Sequence, residues 1–132
     1  MNILLVSHGN LAEGLLHSYE MIVGKSDNIS IVNLDDNGIE DFRKRLHEHL
    51  DVLTEEKQTI VLCDLKGGTP FNESLMYSME NPGKIRIISG MNLPMLSELG
   101  MQTNVDNADE INESISTVVE VGKESIEAEE PI

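Results

Sequence analysis

The sequence predicts a doubly wound α/β fold, in which helices cover both faces of a mainly parallel sheet. Strand-like and helix-like segments alternate along the 132 residues, and this alternation is typical of parallel sheets with right-handed crossovers. Residues 3–6 and 59–63 are continuous apolar runs, as expected of strands buried on both faces. Ligands of such folds bind beyond the carboxyl ends of the strands, so functional residues are expected in the loops that follow them.

The first strand, at residues 3–6, stops at the Ser-His-Gly sequence that follows it. Apolar residues at spacings of three and four then predict a helix from residue 11 toward residue 22. Asn10 is suited to cap this helix, and Glu13 would complete a variant of the capping box. Gly24 is suited to end it.

The middle of the chain repeats the pattern. Residues 29–34 alternate as a second strand, and apolar residues at helical spacing predict a helix between residues 39 and 53. The third strand, at 59–63, leads into a glycine-containing loop. The next helix is expected to start with Thr69 as its N-cap and Pro70 as its first residue, where the missing N–H costs nothing.

The last part of the chain completes the alternation. Its predicted elements are a strand at 85–88, a short helix at 94–99 and a helix from Asp106 or Asn107 to about Glu124. The apolar positions assigned to this last helix include Ile126. We therefore expect a single domain over residues 1–126, followed by a frayed acidic tail at 127–132.

Acidic residues outnumber basic ones by 24 to 9, and the formal net charge is −15. Binding to nucleic acid or to an anionic membrane needs Lys and Arg, so both functions are disfavoured. The charge would attract a cationic protein partner, although it also serves simple solubility.

The start of the sequence has no basic region or cleavage-like site, and no apolar stretch could cross a bilayer. A cytoplasmic location is the resulting expectation. The single cysteine, Cys63, rules out an intrachain disulfide and a Cys-rich metal site, and its apolar neighbours predict a buried thiol. The glycine motifs of P-loop and dinucleotide-binding enzymes are absent from the sequence.

His8 is the first candidate for chemistry, because it follows the first strand and precedes a helix. A histidine titrates near neutral pH, so its neutral imidazole is available as a nucleophile. Gly9 removes side-chain bulk beside it. The alternative is a histidine that only hydrogen-bonds the loop. His17, His47 and His49 look like ordinary helix residues, and no metal site or cofactor is predicted.

Asp64 follows the third strand at the position equivalent to His8. If the two strands are neighbours, the carboxylate can accept the Nδ1 proton of His8 and leave Nε2 free to attack. The alternative is an aspartate that caps backbone amides. Gly67, Gly68 and Thr69 lie at a helix start, where glycines allow close approach of the backbone and N–H groups can bind a phosphate.

Together these loops resemble the enzyme IIA domain of the mannose family of the sugar phosphotransferase system. The resemblance covers about residues 1–125. It rests on three segments of the sequence: Ile3-Leu4-Leu5-Val6-Ser7-His8-Gly9, Asp64-Leu65-Lys66-Gly67-Gly68-Thr69-Pro70-Phe71-Asn72 and Ile88-Ser89-Gly90-Met91-Asn92-Leu93-Pro94-Met95-Leu96.

The resemblance implies a phosphotransferase in which His8 carries phosphate, Asp64 orients the ring and Thr69 supplies a hydroxyl beside the phosphate. The phosphate would come from the phosphocarrier HPr and pass to a IIB component, which phosphorylates sugar entering through the membrane components IIC and IID. The resemblance also implies no metal, a sheet order of 2-1-3-4, and a homodimer that exchanges an antiparallel C-terminal strand.

The sequence departs from this family pattern in two places. Lys66 stands where some members have an aromatic residue, and a cation there would either aid phosphate binding or face solvent. The tail at 127–132 has weak strand propensity. Because no IIB domain follows in the sequence, a free-standing IIA component is expected.

Two other functions would use the same histidine, His8. One is a phosphotransfer subunit of a dihydroxyacetone kinase, against which the Gly-Gly-Thr-Pro-Phe-Asn block argues. The other is a regulatory module whose phosphorylation gates its partners.

Overall fold

The computed structural model describes residues 1–55, 57–102 and 105–131. Within these parts of the chain, four strands alternate with helices. In chain order the elements are β1 (Asn2–His8), α1 (Leu11–Ile22), β2 (Ile29–Leu34), α2 (Ile39–Leu53), β3 (Thr59–Cys63), α3 (Thr69–Glu80), β4 (Ile85–Ser89), α4 (Leu93–Gly100) and α5 (Ala108–Glu124).

The strands form one parallel sheet in the order β2-β1-β3-β4. The predicted fold class and strand order are therefore confirmed. Val6 of β1 pairs with Cys63 of β3, so the residues that follow these two strands emerge side by side at the same edge of the sheet. On the other side, β1 pairs with β2, and His8 aligns with Leu34.

Two apolar layers cover the two faces of the sheet. One joins Ile3 and Leu5 to residues of α1, α4 and α5, and the other joins Leu4 and Val6 to residues of α2 and α3. All four of these β1 side chains are fully buried. This burial explains the apolar run without polar alternation, since each such side chain contributes roughly 1.5–3 kcal/mol when removed from water.

Two predicted helix caps are wrong. Asn10 precedes α1 with φ −95° and ψ 16°, outside the extended backbone of a typical N-cap, and its side chain makes no capping hydrogen bond. The capping box with Glu13 is therefore absent. Thr69 is the first residue of α3 rather than its cap, which is Gly68. The prediction for Gly24 is confirmed, since it follows α1 with φ +116°.

The last helix has its predicted bounds, but Ile126 does not belong to it. Helix α5 begins after Asn107, whose side chain accepts the Glu110 N–H, and it ends at Glu124. Ile126 lies beyond the helix with 78% of its surface exposed, so it is not part of the buried stripe. Residues 127–131 are exposed and have no regular structure. Ile132, the last residue of the predicted tail, lies outside the described residues.

No helix within the described residues is both long and apolar enough to span a membrane.

Candidate functional site

His8 is the last residue of β1, and its side chain is 49% exposed at the carboxyl edge of the sheet. Its Nδ1 atom lies 2.7 Å from Oδ2 of Asp64, and the same oxygen accepts the backbone N–H of His8 at 2.8 Å. The predicted approach of these two residues is therefore confirmed. It follows from the pairing of β1 with β3, which brings the two strand ends together.

The Asp64 carboxylate is held on both oxygens. While Oδ2 accepts from His8, Oδ1 accepts the N–H of Leu65 at 2.8 Å, and the side chain is only 8% exposed. An ionised carboxylate can only accept hydrogen bonds, so the Nδ1 atom of His8 carries the proton. The Nε2 atom of neutral His8 then has a free lone pair.

Gly68 packs closely against the His8 ring. A Cβ atom placed on Gly68 would lie 2.8 Å from Cε1 and 3.5 Å from Nε2 of His8. The N–H of Gly68 donates to the Leu65 carbonyl at 3.1 Å, so it closes the loop instead of pointing at a ligand. Thr69 begins α3, so its N–H is one of the amides that a helix leaves unpaired at its start.

Two further glycines shape the site. Gly9 has φ +56° and donates its N–H to the Leu34 carbonyl at 2.8 Å, which turns the chain away from β1 immediately after His8. Gly67 has φ +83°, a backbone conformation that glycine adopts readily. The carbonyl of Gly67 accepts the Asn72 side-chain amide at 3.1 Å.

Sequence reasoning assigned no role to Asn72 or Ser7. Asn72 ties the first turn of α3 to the loop at residues 64–68, called the glycine loop below. Its only signal in the sequence was its place in the Gly-Gly-Thr-Pro-Phe-Asn block. Ser7 is fully buried, and its Oγ accepts the N–H of Ala12 at 2.8 Å. Its signal was a polar residue at the end of a buried apolar run.

The other histidines lie away from this site. The His47 ring packs edge-on against Tyr77, and Nε2 of His49 lies 2.8 Å from Oγ of Ser30. Burial lowers the pKa of His49. His17 is exposed on α1. Among residues 1–55, 57–102 and 105–131, no group of three or more His, Cys, Asp or Glu side chains is arranged to hold a metal ion.

The His8 site is open to solvent rather than enclosed. Lys66, in the loop after β3, is exposed. A concavity of about 410 Å³ lies at the opposite edge of the sheet, and its lining includes Lys57, Gln58 and Lys84. These residues precede β3 and β4, so this concavity is at the amino ends of the strands. An exposed imidazole at the other edge is accessible to a group carried on another protein.

Comparison with known proteins agrees with this fold. Residues 2–116 match the model of the family described as "PTS system fructose IIA component". The chain is 29% identical over 127 residues to the "PTS system mannose-specific EIIAB component" of Escherichia coli (strain K12). That match covers 96% of this chain but 38% of the relative, so the chain spans well under half of that protein's length.

Two solved structures are similar over nearly their whole length. The "Mannose/sorbose specific IIA subunit of phosphotransferase system" from Enterococcus faecalis has a TM-score of 0.86 and 29% identity, covering 99% of this chain and 96% of the other. The "phosphotransferase system component EIIA" from Streptococcus agalactiae has a TM-score of 0.81 and 32% identity, covering 96% and 95%. The chain belongs to the family of phosphotransferase system fructose IIA components.

Proposed function

We propose that this protein is a phosphoryl carrier of a sugar phosphotransferase system, in which His8 accepts phosphate from phospho-HPr and passes it to a IIB component. The observation that carries the proposal is the contact between His8 and Asp64. Their 2.7 Å contact occupies Nδ1 and leaves Nε2 as the nucleophile on a half-exposed ring. Family membership supports the sugar phosphotransferase system over the dihydroxyacetone kinase alternative.

The transfer is an in-line displacement between two imidazoles. The lone pair on Nε2 of His8 forms a bond to phosphorus while the phosphorus–nitrogen bond of the donor histidine breaks, and that electron pair leaves with the donor ring. The proton on Nδ1 of His8 stays in its hydrogen bond to Asp64. Because positive charge grows on the His8 ring as the bond forms, the Asp64 carboxylate stabilises the product.

The oxygens of the transferred phosphoryl group need hydrogen-bond donors close to the reacting atoms. The start of α3 is suited to this role, because its first amides and its dipole favour an anion. Thr69 contributes a hydroxyl and an N–H there, and Gly68 allows this helix start to approach the ring. Most of the rate enhancement then comes from positioning and from these donors, as in other phosphoryl transfers.

The proposal extends to the partners and to the chain itself. IIC and IID membrane components would act downstream of IIB, and neither nucleic acid nor a metal takes part. We expect a cytoplasmic homodimer built from one domain at residues 1–126, with the acidic tail at 127–132 outside it. A half-exposed histidine suits both partners, since each must bring its own reacting group to the same ring.

Phosphate labelling tests the site. The protein is incubated with labelled phosphoenolpyruvate, enzyme I and HPr, and the acid-labile label on the chain is measured. We expect label on the wild type and on His17→Ala, the control that removes another exposed histidine, and none on His8→Ala. Undiminished label on His8→Ala would show that another residue is phosphorylated.

Acceptance by a IIB protein distinguishes the carrier from the regulatory module. The labelled protein is freed of HPr and mixed with candidate IIB proteins. Loss of label from His8 with equal gain on IIB is the result expected of a carrier. Retention of the label with every candidate would favour the regulatory alternative.

A further inference from the structure

Ser7 is a polar residue in β1, where all of residues 3–7 are buried. Its side chain is fully buried, as are those of Ile3 and Leu5, which occupy the same face of β1 four and two residues earlier. This face of the sheet packs against α1. A hydroxyl in such a place is costly unless its hydrogen bonds are made, so its partners indicate what it does.

The Ser7 hydroxyl makes the contact that Asn10 was predicted to make. Its Oγ accepts the N–H of Ala12, the second residue of α1, at 2.8 Å. Ala12 is itself fully buried, and the Asn10 side chain makes no capping bond. The start of α1 is therefore capped from inside β1, across the turn that follows His8.

The same hydroxyl has two possible acceptors for its own proton. These are Oδ1 of Asn33, at 3.2 Å in the neighbouring strand β2, and the carbonyl of Gly9, at 3.4 Å. One proton serves only one of them at a time. In either arrangement the bond from Ala12 remains, so Ser7 links the end of β1 to the start of α1 on the other side of His8.

His8 lies between the residues that these bonds connect. Ser7 connects to Ala12, Gly9 donates to Leu34, and the N–H of His8 donates to Asp64 at 2.8 Å. Each bond restricts the backbone that carries the imidazole. Without the Ser7 bond, α1 and the residues after His8 would be free to shift relative to β3, which holds Asp64 in place.

We propose that Ser7 is a positioning residue for phosphoryl transfer: its hydroxyl ties α1 to β1 and so holds the His8 imidazole with Nδ1 on Asp64 and Nε2 free to react. This inference rests on the proposed function of His8. Ser7 itself touches neither the phosphate nor the reacting nitrogen, and it acts through the backbone on both sides of His8.

The test compares three variants at a temperature where each is folded. Ser7→Ala removes the hydroxyl, and Ser7→Thr keeps it. Thr54→Val is the matched control. Like Ser7, Thr54 is buried and its hydroxyl is hydrogen-bonded to a helix, in this case by donating to the Leu50 carbonyl at 2.7 Å. Thr54 lies at the opposite edge of the sheet from His8. The measurements are the rate of transfer from phospho-HPr and the ¹⁵N chemical shifts of the His8 ring.

For Ser7→Ala we expect transfer slower by at least about tenfold and ring shifts that report a loss of the single Nδ1–H tautomer, because small misplacements are costly in such reactions. Ser7→Thr should recover most of the rate, and Thr54→Val should match the wild type in both readouts. Wild-type rate and ring shifts in Ser7→Ala would overturn the proposal. Equal slowing in Ser7→Thr would also overturn it, because the hydroxyl would then not be the group that matters.

The design separates this inference from the proposed function. If the wild type takes no label from phospho-HPr, the carrier function fails, while the ring shifts still report whether Ser7 holds His8 on Asp64. If Ser7→Ala does not fold, Ser7→Cys replaces it, because it keeps a side chain of similar shape with a much weaker hydrogen-bonding group. Wild-type transfer and ring shifts in Ser7→Cys would then count against the proposal.

Discussion

Gly68 lies so close to His8 that a Cβ atom on Gly68 would stand 2.8 Å from Cε1 of the imidazole. Real Cβ atoms do not approach other atoms this closely, so a side chain there must move either the ring or the start of α3. The close contact therefore links the geometry of the glycine loop directly to the reacting residue.

Gly68→Ala is expected to slow phosphoryl transfer to His8 by about tenfold or more, because the displaced ring loses its alignment with Asp64 and with the start of α3. The measurement is the initial rate of labelling from phospho-HPr. Gly14→Ala is the control, since Gly14 lies in α1 with nothing within 4 Å of an added Cβ. Equal rates for the two variants would show that the loop tolerates a side chain.

Asp64→Asn is expected to slow transfer by about tenfold or more while the fold is retained, because an amide no longer holds the Nδ1–H tautomer of the imidazole. In the native protein Oδ2 of Asp64 accepts both the backbone and the ring of His8. Rapid mixing with phospho-HPr followed by quenching gives the rate of transfer, and the ¹⁵N chemical shifts of the His8 ring give its tautomer. Asp51→Asn, which alters the acceptor of the Tyr77 hydroxyl, is the control and should transfer normally. An unchanged rate in Asp64→Asn would remove the orienting role.

The ion pair between Arg43 and Glu73 is expected to stabilise the fold in a pH-dependent way. Arg43 donates to both carboxylate oxygens of Glu73, at 2.8 and 2.9 Å, and joins α2 to α3. These hydrogen bonds, with the charge of the guanidinium, hold the pKa of the Glu73 carboxyl below its usual value. A lowered folded-state pKa adds stability above the unfolded-state pKa, near pH 4, and that stability is lost as the pH falls through the folded-state pKa.

Urea unfolding of the wild type and Glu73→Gln at several pH values tests this expectation. The wild type should have the higher midpoint at pH 7, and the gap should narrow below about pH 4 as the native carboxyl becomes protonated. Asp41→Asn is the control, because Asp41 pairs with Arg45 while both side chains stay more than a third exposed. Its midpoint should change little. A gap that does not depend on pH would mean that the ion pair is not its source.

Cys63 is expected to be unreactive in the native protein. It is fully buried in β3, and burial raises the pKa of its thiol to about 12. At pH 8 only about one molecule in 10⁴ would then carry the reactive thiolate, even before access is considered. A thiol-specific chromogenic reagent should label no cysteine in native protein and one per chain in urea. Rapid labelling of the native protein would show that β3 is more accessible than its burial indicates.

Local sequence patterns determined the bounds of the elements better than the groups that cap the helices. The bounds of β2 and β3 agree with the predicted segments at 29–34 and 59–63, because polar residues flank both segments and mark where each strand ends. The cap of α1 was assigned to Asn10, the nearest suitable side chain in the chain. The fold places the hydroxyl of Ser7 within 2.8 Å of the same helix start, and its one signal in the sequence was a polar residue at the end of an apolar run.

The candidate site was predictable in part for a topological reason. Parallel strands end at one edge of a sheet, so His8 and Asp64 needed only to follow neighbouring strands in order to meet. The glycine loop was identified as a cradle, but the role of each glycine was not. The N–H of Gly68 donates to the Leu65 carbonyl, so Gly68 contributes to the site by having no side chain against the His8 ring. That contact depends on where β1 places the ring.

The sequence by itself determined the α/β class, the order of the elements and the residue types that carry chemistry, because these depend on periodicity and on the ends of apolar runs. Only the tertiary structure decided how His8 is held: by Asp64 on one side, by the bare backbone of Gly68 against the ring, and by Ser7 through the turn. Those contacts join residues up to 60 positions apart in the sequence, and their directions are set by strand pairing and packing rather than by any local pattern.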